Sequence, residues 1–305
     1  MIPISAVIPT YNRGPLLARA IESVLSQTYA AREVIVIDDG SKDDSAAQVA
    51  KFGSRVRYIR QENAGASEAR NHGVRSATTE WIAFLDSDDI WVNTHLERMA
   101  AAITATAGRA PVYFSDMEQT TEDGGGSLWD SIGFHIHPPH ELVDDASAWV
   151  MMDRQPTMLQ CSVFRKSRYL ETGGLWKQLW LTHDTHLFLK LCLGGPACAV
   201  AGFGTIQTSD DAAQGTRLTQ THGSKTRAYW VESSILWDDV MNHAASNAPD
   251  WTAIARYRSS NARWRIARHD LAHGKVFAGI WSAVKAVTIQ PSLPVVLARR
   301  AWSRQ

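Results

Sequence analysis

Short apolar runs alternate with stretches of helical spacing through the first 105 residues. Residues 5–8, 34–37, 56–59 and 81–85 read as strands, and the run VIVI at 34–37 is apolar throughout, the pattern of a strand buried on both faces. Between the first two, Leu17, Ala20, Ile21, Val24 and Leu25 recur at helical spacing within 16–27. Residues 43–52 and 67–75 read as further helices. Strands separated by helices of about ten residues imply βαβ units, and so an α/β fold with a mostly parallel sheet flanked by helices. Ligands of such sheets collect at the carboxyl ends of the strands.

Beyond residue 105 the alternation fades. The sequence divides into 1–105, which carries the regular units, an irregular stretch over 106–224, and a Trp- and Arg-rich segment over 225–305 that reads as helices. The glycines at 124–126 and the HIHPPH run at 135–140 read as loops over a site. Hydrophobic residues make up 45% and charged residues 20%, the balance of an ordinary globule. Lys+Arg and Asp+Glu both number 31, and a net charge of zero argues against a general nucleic-acid binder. Cys161, Cys192 and Cys198 form no CxxC pair, which suits reduced thiols and a cytoplasmic protein. The first residues do not resemble a secretory leader, and no run of about 18 apolar residues offers a membrane span. Apolar runs at 276–287 and 293–302 lie among Lys275, Lys285, Arg299, Arg300 and Arg304. They permit either peripheral attachment to the inner face of an anionic membrane or a helical hairpin packed on the main domain.

The polar residues that follow the strands carry the chemistry. The strand at 34–37 runs into Asp38 and Asp39, and the strand at 81–85 runs into Asp86, Ser87, Asp88 and Asp89. Two acidic clusters on one sheet edge repel each other, and one carboxylate should hold its proton unless something positive lies between them. A divalent Mg²⁺ or Mn²⁺ carrying a nucleotide diphosphate would serve, since such ions take oxygen ligands from phosphates and few carboxylates. Helix capping suffices for Asp43 and Asp44, whereas three carboxylates in four residues exceed what a cap requires.

Here the sequence resembles the family 2 glycosyltransferases, which have the GT-A fold. The resemblance rests on ordered motifs: VIPTYNR at 7–13, SVLSQTY at 23–29, VIVIDDGSKD at 34–43, ENAGASEARNHG at 62–73 and WIAFLDSDDIW at 81–91, then ETGGLW at 171–176 and THDTHLFLKL at 182–191. It implies that Pro9 and Tyr11 hold the nucleotide, that Asp39 accepts from the base with Asp38 beside it, and that Arg70 lies near the nucleotide in a loop shaped by Asn63 and Gly65. By the same resemblance Asp86 lies by the ribose, Asp88 binds the metal, and Asp89 faces the donor sugar or acceptor side. Asp184 matches the general base, at the start of a helix whose buried face is marked by Phe188, Leu191 and Cys192. Where the family shows Glu-Asp, this chain has His183 before Asp184, which leaves the base in place and makes His183 a neighbour of the acceptor. His222 matches a histidine near metal or diphosphate in many relatives, and a surface loop remains an equal reading of it.

The implied reaction is a metal-dependent, inverting transfer of a sugar from a nucleotide-diphosphate donor, a UDP-sugar by expectation. Its acceptor would be a glycan or lipid-linked glycan, as in bacterial surface polysaccharide synthesis. Trp176 and Trp180 flank the path to Asp184 and suit either a sugar ring or core packing. The alternatives are a nucleotidyltransferase or a catalytically inactive nucleotide-sugar-binding module. The first lacks its basic Gly-rich loop, since PTYNRG follows the first strand. A dinucleotide oxidoreductase is excluded by the missing GxGxxG.

Overall fold

The computed structural model describes residues 1–121, 124–207 and 226–293. It forms two compact units, Met1–Lys177 with His183–Gln214, and Gln178–Thr182 with Gly215–Gln305. The first unit is built on one sheet. Its strands are β1 (Ile4–Thr10), β2 (Glu33–Asp38), β3 (Arg57–Arg60), β4 (Trp81–Phe84), β5 (Asp89–Trp91), β6 (Val112–Thr121), β7 (Gly124–Ser127), β8 (His140–Val143), β9 (Ser162–Arg165) and β10 (Ala197–Gln207). They run in the order β3-β2-β1-β4-β9-β6-β10-β5, with β7 beside β6 and β8 beside β10.

The first four strands in that order pair in parallel, as the alternation of the first hundred residues implies. From β9 the sheet is mixed: β9 lies antiparallel to both β4 and β6, while β10 runs parallel to β6. Helices α1 (Gly14–Leu25), α2 (Ser45–Ala50), α3 (Ala66–Ser76) and α4 (His95–Ala105) link the early strands. In α1 the buried residues include Leu17, Ala20, Ile21 and Val24, the stripe that the sequence marks. They pack with Ile4, Ala6, Ile8, Val34 and Val36 in the main core.

Two local expectations change. The glycines at 124–126 lie in β7, where they pair with Gln119, Thr120 and Thr121 of β6 rather than forming a loop. Glycines carry no apolar pattern that could have announced a strand. After α5 (Leu128–Ile132), α6 (Ser147–Val150) and α7 (Lys166–Glu171) comes α8 (His183–Cys192). Phe188, Leu191 and Cys192 are buried on α8 as expected, but so are His186, Leu187 and Leu189. A helix enclosed on nearly every side has no single apolar stripe. The second unit holds α9 (Arg227–Asn247), α10 (Thr252–Ala272) and α11 (Val276–Ile289), with α10 packed against both of the others. The helical expectation for the segment after 225 therefore holds for its described residues.

Candidate active site

Two loops leave the carboxyl ends of β1 and β2 and are tied to each other. The Asp39 amide donates to the Thr10 carbonyl at 2.9 Å, the Asn12 amide to Ser41 Oγ at 2.9 Å, and the Lys42 amide to Asn12 Oδ1 at 2.7 Å. The Gly14 amide donates to Asp43 Oδ2 at 2.9 Å, while Asp43 Oδ1 accepts from the Ser45 amide at 3.0 Å. Burial alone would raise the Asp43 pKa, but these hydrogen bonds with the Ser45 hydroxyl lower it. Asp43 thus does the structural work expected of it. Pro9 is buried in β1, and Tyr11 stands 44% exposed on the loop that follows.

The β2 carboxylates have separate tasks. Asp38 is fully buried, takes the Ser41 amide on Oδ1 at 2.7 Å and accepts from the Tyr58 hydroxyl on Oδ2. Burial and that bond push the Tyr58 pKa up to about 12. Asp39 holds the loop before α3: Oδ1 accepts from the Ala64 amide at 2.8 Å and Gln61 Nε2 at 2.7 Å, and Oδ2 from the Gly65 amide at 2.8 Å. With one protein donor on Oδ2, that oxygen retains a second lone-pair direction for a ligand N–H. Gly65 takes φ +89 as the cap of α3, a conformation natural to glycine. Asn63 is exposed on the same loop.

After β4, each carboxylate of the DxD pair meets an arginine. Asp86 pairs with Arg70 of α3. Asp88 lies 3.1 Å from Arg13 Nη1, with side chains 18% and 20% exposed respectively. Asp89 is buried in β5 and accepts from Gln160 Nε2 at 3.2 Å. Arg70 is itself buried, and its Nε and Nη1 have no hydrogen-bond partner. Burial by itself would lower the Arg70 pKa, yet the charge of Asp86 raises it, with smaller contributions from Tyr169 and Asp184.

This arrangement corrects one inference. The positive charge that the acidic clusters demand comes from Arg13 and Arg70, so cluster repulsion alone does not require a metal. Among the described residues no group of three or more His, Cys, Asp or Glu is placed to cage an ion. The residues fit a looser role. One partly open carboxylate, Asp88, suits an ion whose other ligands are diphosphate oxygens and water. His222 lies outside the described residues.

His183 and Asp184 open α8, where the Thr185 amide donates to Asp184 Oδ1 at 2.7 Å. Trp176 packs against His186, with ring centroids 4.2 Å apart and the ring planes tilted by 43°. Trp180 belongs to the second unit and is 44% exposed. Spacing did not reveal the partnership of Arg13 with Asp88, of Tyr58 with Asp38, or of Gln61 with Asp39. Each joins loops far apart in the sequence, and no periodicity encodes such pairs.

Comparison with known proteins identifies the family and the fold. Residues 5–159 match the family described as Glycosyl transferase family 2. An uncharacterised glycosyltransferase of Rickettsia felis is 44% identical over 270 residues, covering 87% of this chain and 44% of the relative. The chain thus spans less than half the length of the first curated relatives it matches. An Escherichia coli protein, UDP-Glc:alpha-D-GlcNAc-diphosphoundecaprenol beta-1,3-glucosyltransferase WfgD, is 44% identical over 96 residues, 31% of this chain and 38% of WfgD. The mannosyltransferase PcManGT from Pyrobaculum calidifontis, solved with GDP-Man and Mn²⁺, has a similar fold, with a TM-score of 0.57 at 16% identity. That likeness covers 100% of this chain and 89% of the other.

Proposed function

The chain belongs to glycosyl transferase family 2, and on that premise we propose that it moves one sugar from a UDP-sugar to a hydroxyl of a glycan or lipid-linked glycan, inverting the anomeric carbon. The observation that carries this reading is the meeting, at the carboxyl ends of parallel strands, of Asp86 with Arg70 and of Asp88 with Arg13, a cation only partly buried. Such a cation suits a diphosphate. The WfgD name supports a UDP donor and a lipid-linked acceptor. In this reading residues 1–105 bind the donor, 106–224 supply the base and the acceptor side, and 225–305 form a helical segment that meets an acceptor-bearing surface.

Pro9 and Tyr11 hold the base and ribose, and Asp39 accepts from the base on its less occupied oxygen. Asp38 fixes the turn at Ser41 that keeps Asp39 in place. Asn63 and Gly65 shape the wall of that pocket, and Arg70 orients Asp86 toward the ribose. Asp88 is the ligand for Mn²⁺ or Mg²⁺, which when bound offsets the negative charge of the leaving diphosphate. Asp184 takes the acceptor hydroxyl proton as the acceptor oxygen bonds to the anomeric carbon and the bond to the diphosphate oxygen breaks. Asp184 stands in the first turn of α8, where its Oδ1 accepts from the Thr185 amide. His183, beside the base, hydrogen-bonds to the acceptor. Asp89, buried and bonded to Gln160, shapes that side of the site.

Calorimetry of UDP with and without Mn²⁺ tests the donor half. Wild type binds UDP more tightly with Mn²⁺, and Asp88→Ala loses that increment while keeping its far-UV spectrum. Unchanged Mn²⁺-dependent binding by Asp88→Ala removes Asp88 from the metal site.

A further inference from the structure

Helix α11 is turned inside out. Its buried residues are Gly279 and Ala286, two of its smallest side chains. A Cβ added at Gly279 would lie 2.6 Å from Leu271 Cγ and 3.2 Å from the Ala267 carbonyl, so the glycine lets α11 press directly on α10. Ser260 of α10 donates to the Ala286 carbonyl across the same contact. The large apolar residues point the other way: Val276, Phe277, Ile280, Trp281, Val284 and Val287 are 51, 91, 52, 62, 51 and 36% exposed. At about 100° per residue these six positions fall within an arc of about 140°. A continuous apolar face of this kind marks an interaction surface.

We propose that this face of α11 lies in an anionic lipid surface, with the helix axis parallel to the membrane plane. The charge pattern selects this occupant. Residues 271–305 contain Lys275, Lys285, Arg299, Arg300 and Arg304 and no Asp or Glu. Basic residues without acidic ones beside an apolar face complement anionic headgroups. Lys285 Nζ stands 5.1 Å over the Trp281 ring, at the border of the apolar arc, where a lysine stem can lie on hydrocarbon while its charge reaches headgroups. Trp281 at that border matches the preference of tryptophan for the interface. No helix among the described residues is long and apolar enough to cross a membrane, so attachment by α11 is peripheral. This gives a residue-level form to the membrane contact within the proposed function and rests on it only for the purpose of attachment, not for the binding itself.

Sedimentation of the full chain with phosphatidylcholine vesicles, with and without phosphatidylglycerol, tests it. Wild type binds the anionic vesicles and only weakly the neutral ones. Phe277→Ser with Trp281→Ser lowers the partition coefficient about tenfold or more. Lys275→Gln and Lys285→Gln lower binding to anionic vesicles about fivefold each and change neutral binding little. All six large apolar positions face away from α10, so the aromatic variant retains Mn²⁺-dependent UDP binding. Failure of wild type to bind anionic vesicles overturns the proposal, as does unaltered binding by the aromatic variant. A wild-type dimer that this variant dissolves also overturns it, because a second copy then covers the face. Absence of UDP binding in wild type would sink the donor assignment and leave the vesicle result standing.

Discussion

Arg70 shows how a single residue can join parts of the sequence that no local pattern connects. It sits on α3 and pairs with Asp86 after β4, whose charge holds the Arg70 pKa up against burial. Lysine at this position supplies one point of charge where the planar guanidinium holds the Asp86 carboxylate that the proposed donor site uses. Arg70→Lys therefore weakens UDP binding about tenfold in calorimetry, with the thermal midpoint nearly retained. At Asp184 the expected split is different. Asp184→Asn keeps UDP and Mn²⁺ binding and lowers single-turnover transfer by about 10² or more, the scale for a lost general base. His183→Gln raises the acceptor concentration needed for half-maximal rate and has the smaller effect on turnover. The carboxylates themselves were legible because each follows an apolar strand directly. Their partners were not: Arg13, Tyr58 and Gln61 stand on other loops, and only the fold brings them to Asp88, Asp38 and Asp39.

Among the elements, the β1–α3 contact depends on a missing side chain. A Cβ on Gly73 would come within 2.2 Å of Val7 Cγ1, so α3 packs on β1 at glycine distance. Gly73→Ala overpacks this contact and destabilises the fold by about 1–3 kcal/mol in denaturant titration. Helix α4 carries a titration instead. Burial, with Arg98 as a smaller cause, pushes the His95 pKa from 6.5 down to about 3, and neither ring nitrogen has a hydrogen-bond partner. The folded chain thus keeps the ring neutral where the unfolded chain takes up a proton. Its contribution to stability is complete above pH 6.5 and is lost progressively as pH falls from 6.5 toward 3. Unfolding titrations of His95→Leu show a shallower loss over that window, and an unchanged slope would mean another group governs it. The early elements were readable because strand and helix periods differ. The β7 strand of glycines and the enclosed helix α8 carry neither period, and tertiary pairing decides them.

Across the whole molecule, charge is balanced overall but not evenly distributed. Net charge is zero, yet residues 271–305 hold five Lys or Arg and no acid. The sequence left that segment open between membrane attachment and a packed hairpin, and α11 packs on α10 through Gly279 and Ala286 while its large residues stay outside. Hydropathy alone cannot separate the two, since it records which residues are apolar but not which of them α10 covers. The central claim, a single displacement in which Asp184 takes the acceptor proton, predicts the configuration of the product. An α-linked UDP-sugar turned over by the wild-type chain with Mn²⁺ and acceptor gives a β-configured glycoside, read from the anomeric proton coupling of the product in ¹H NMR. An α-configured glycoside would contradict the account.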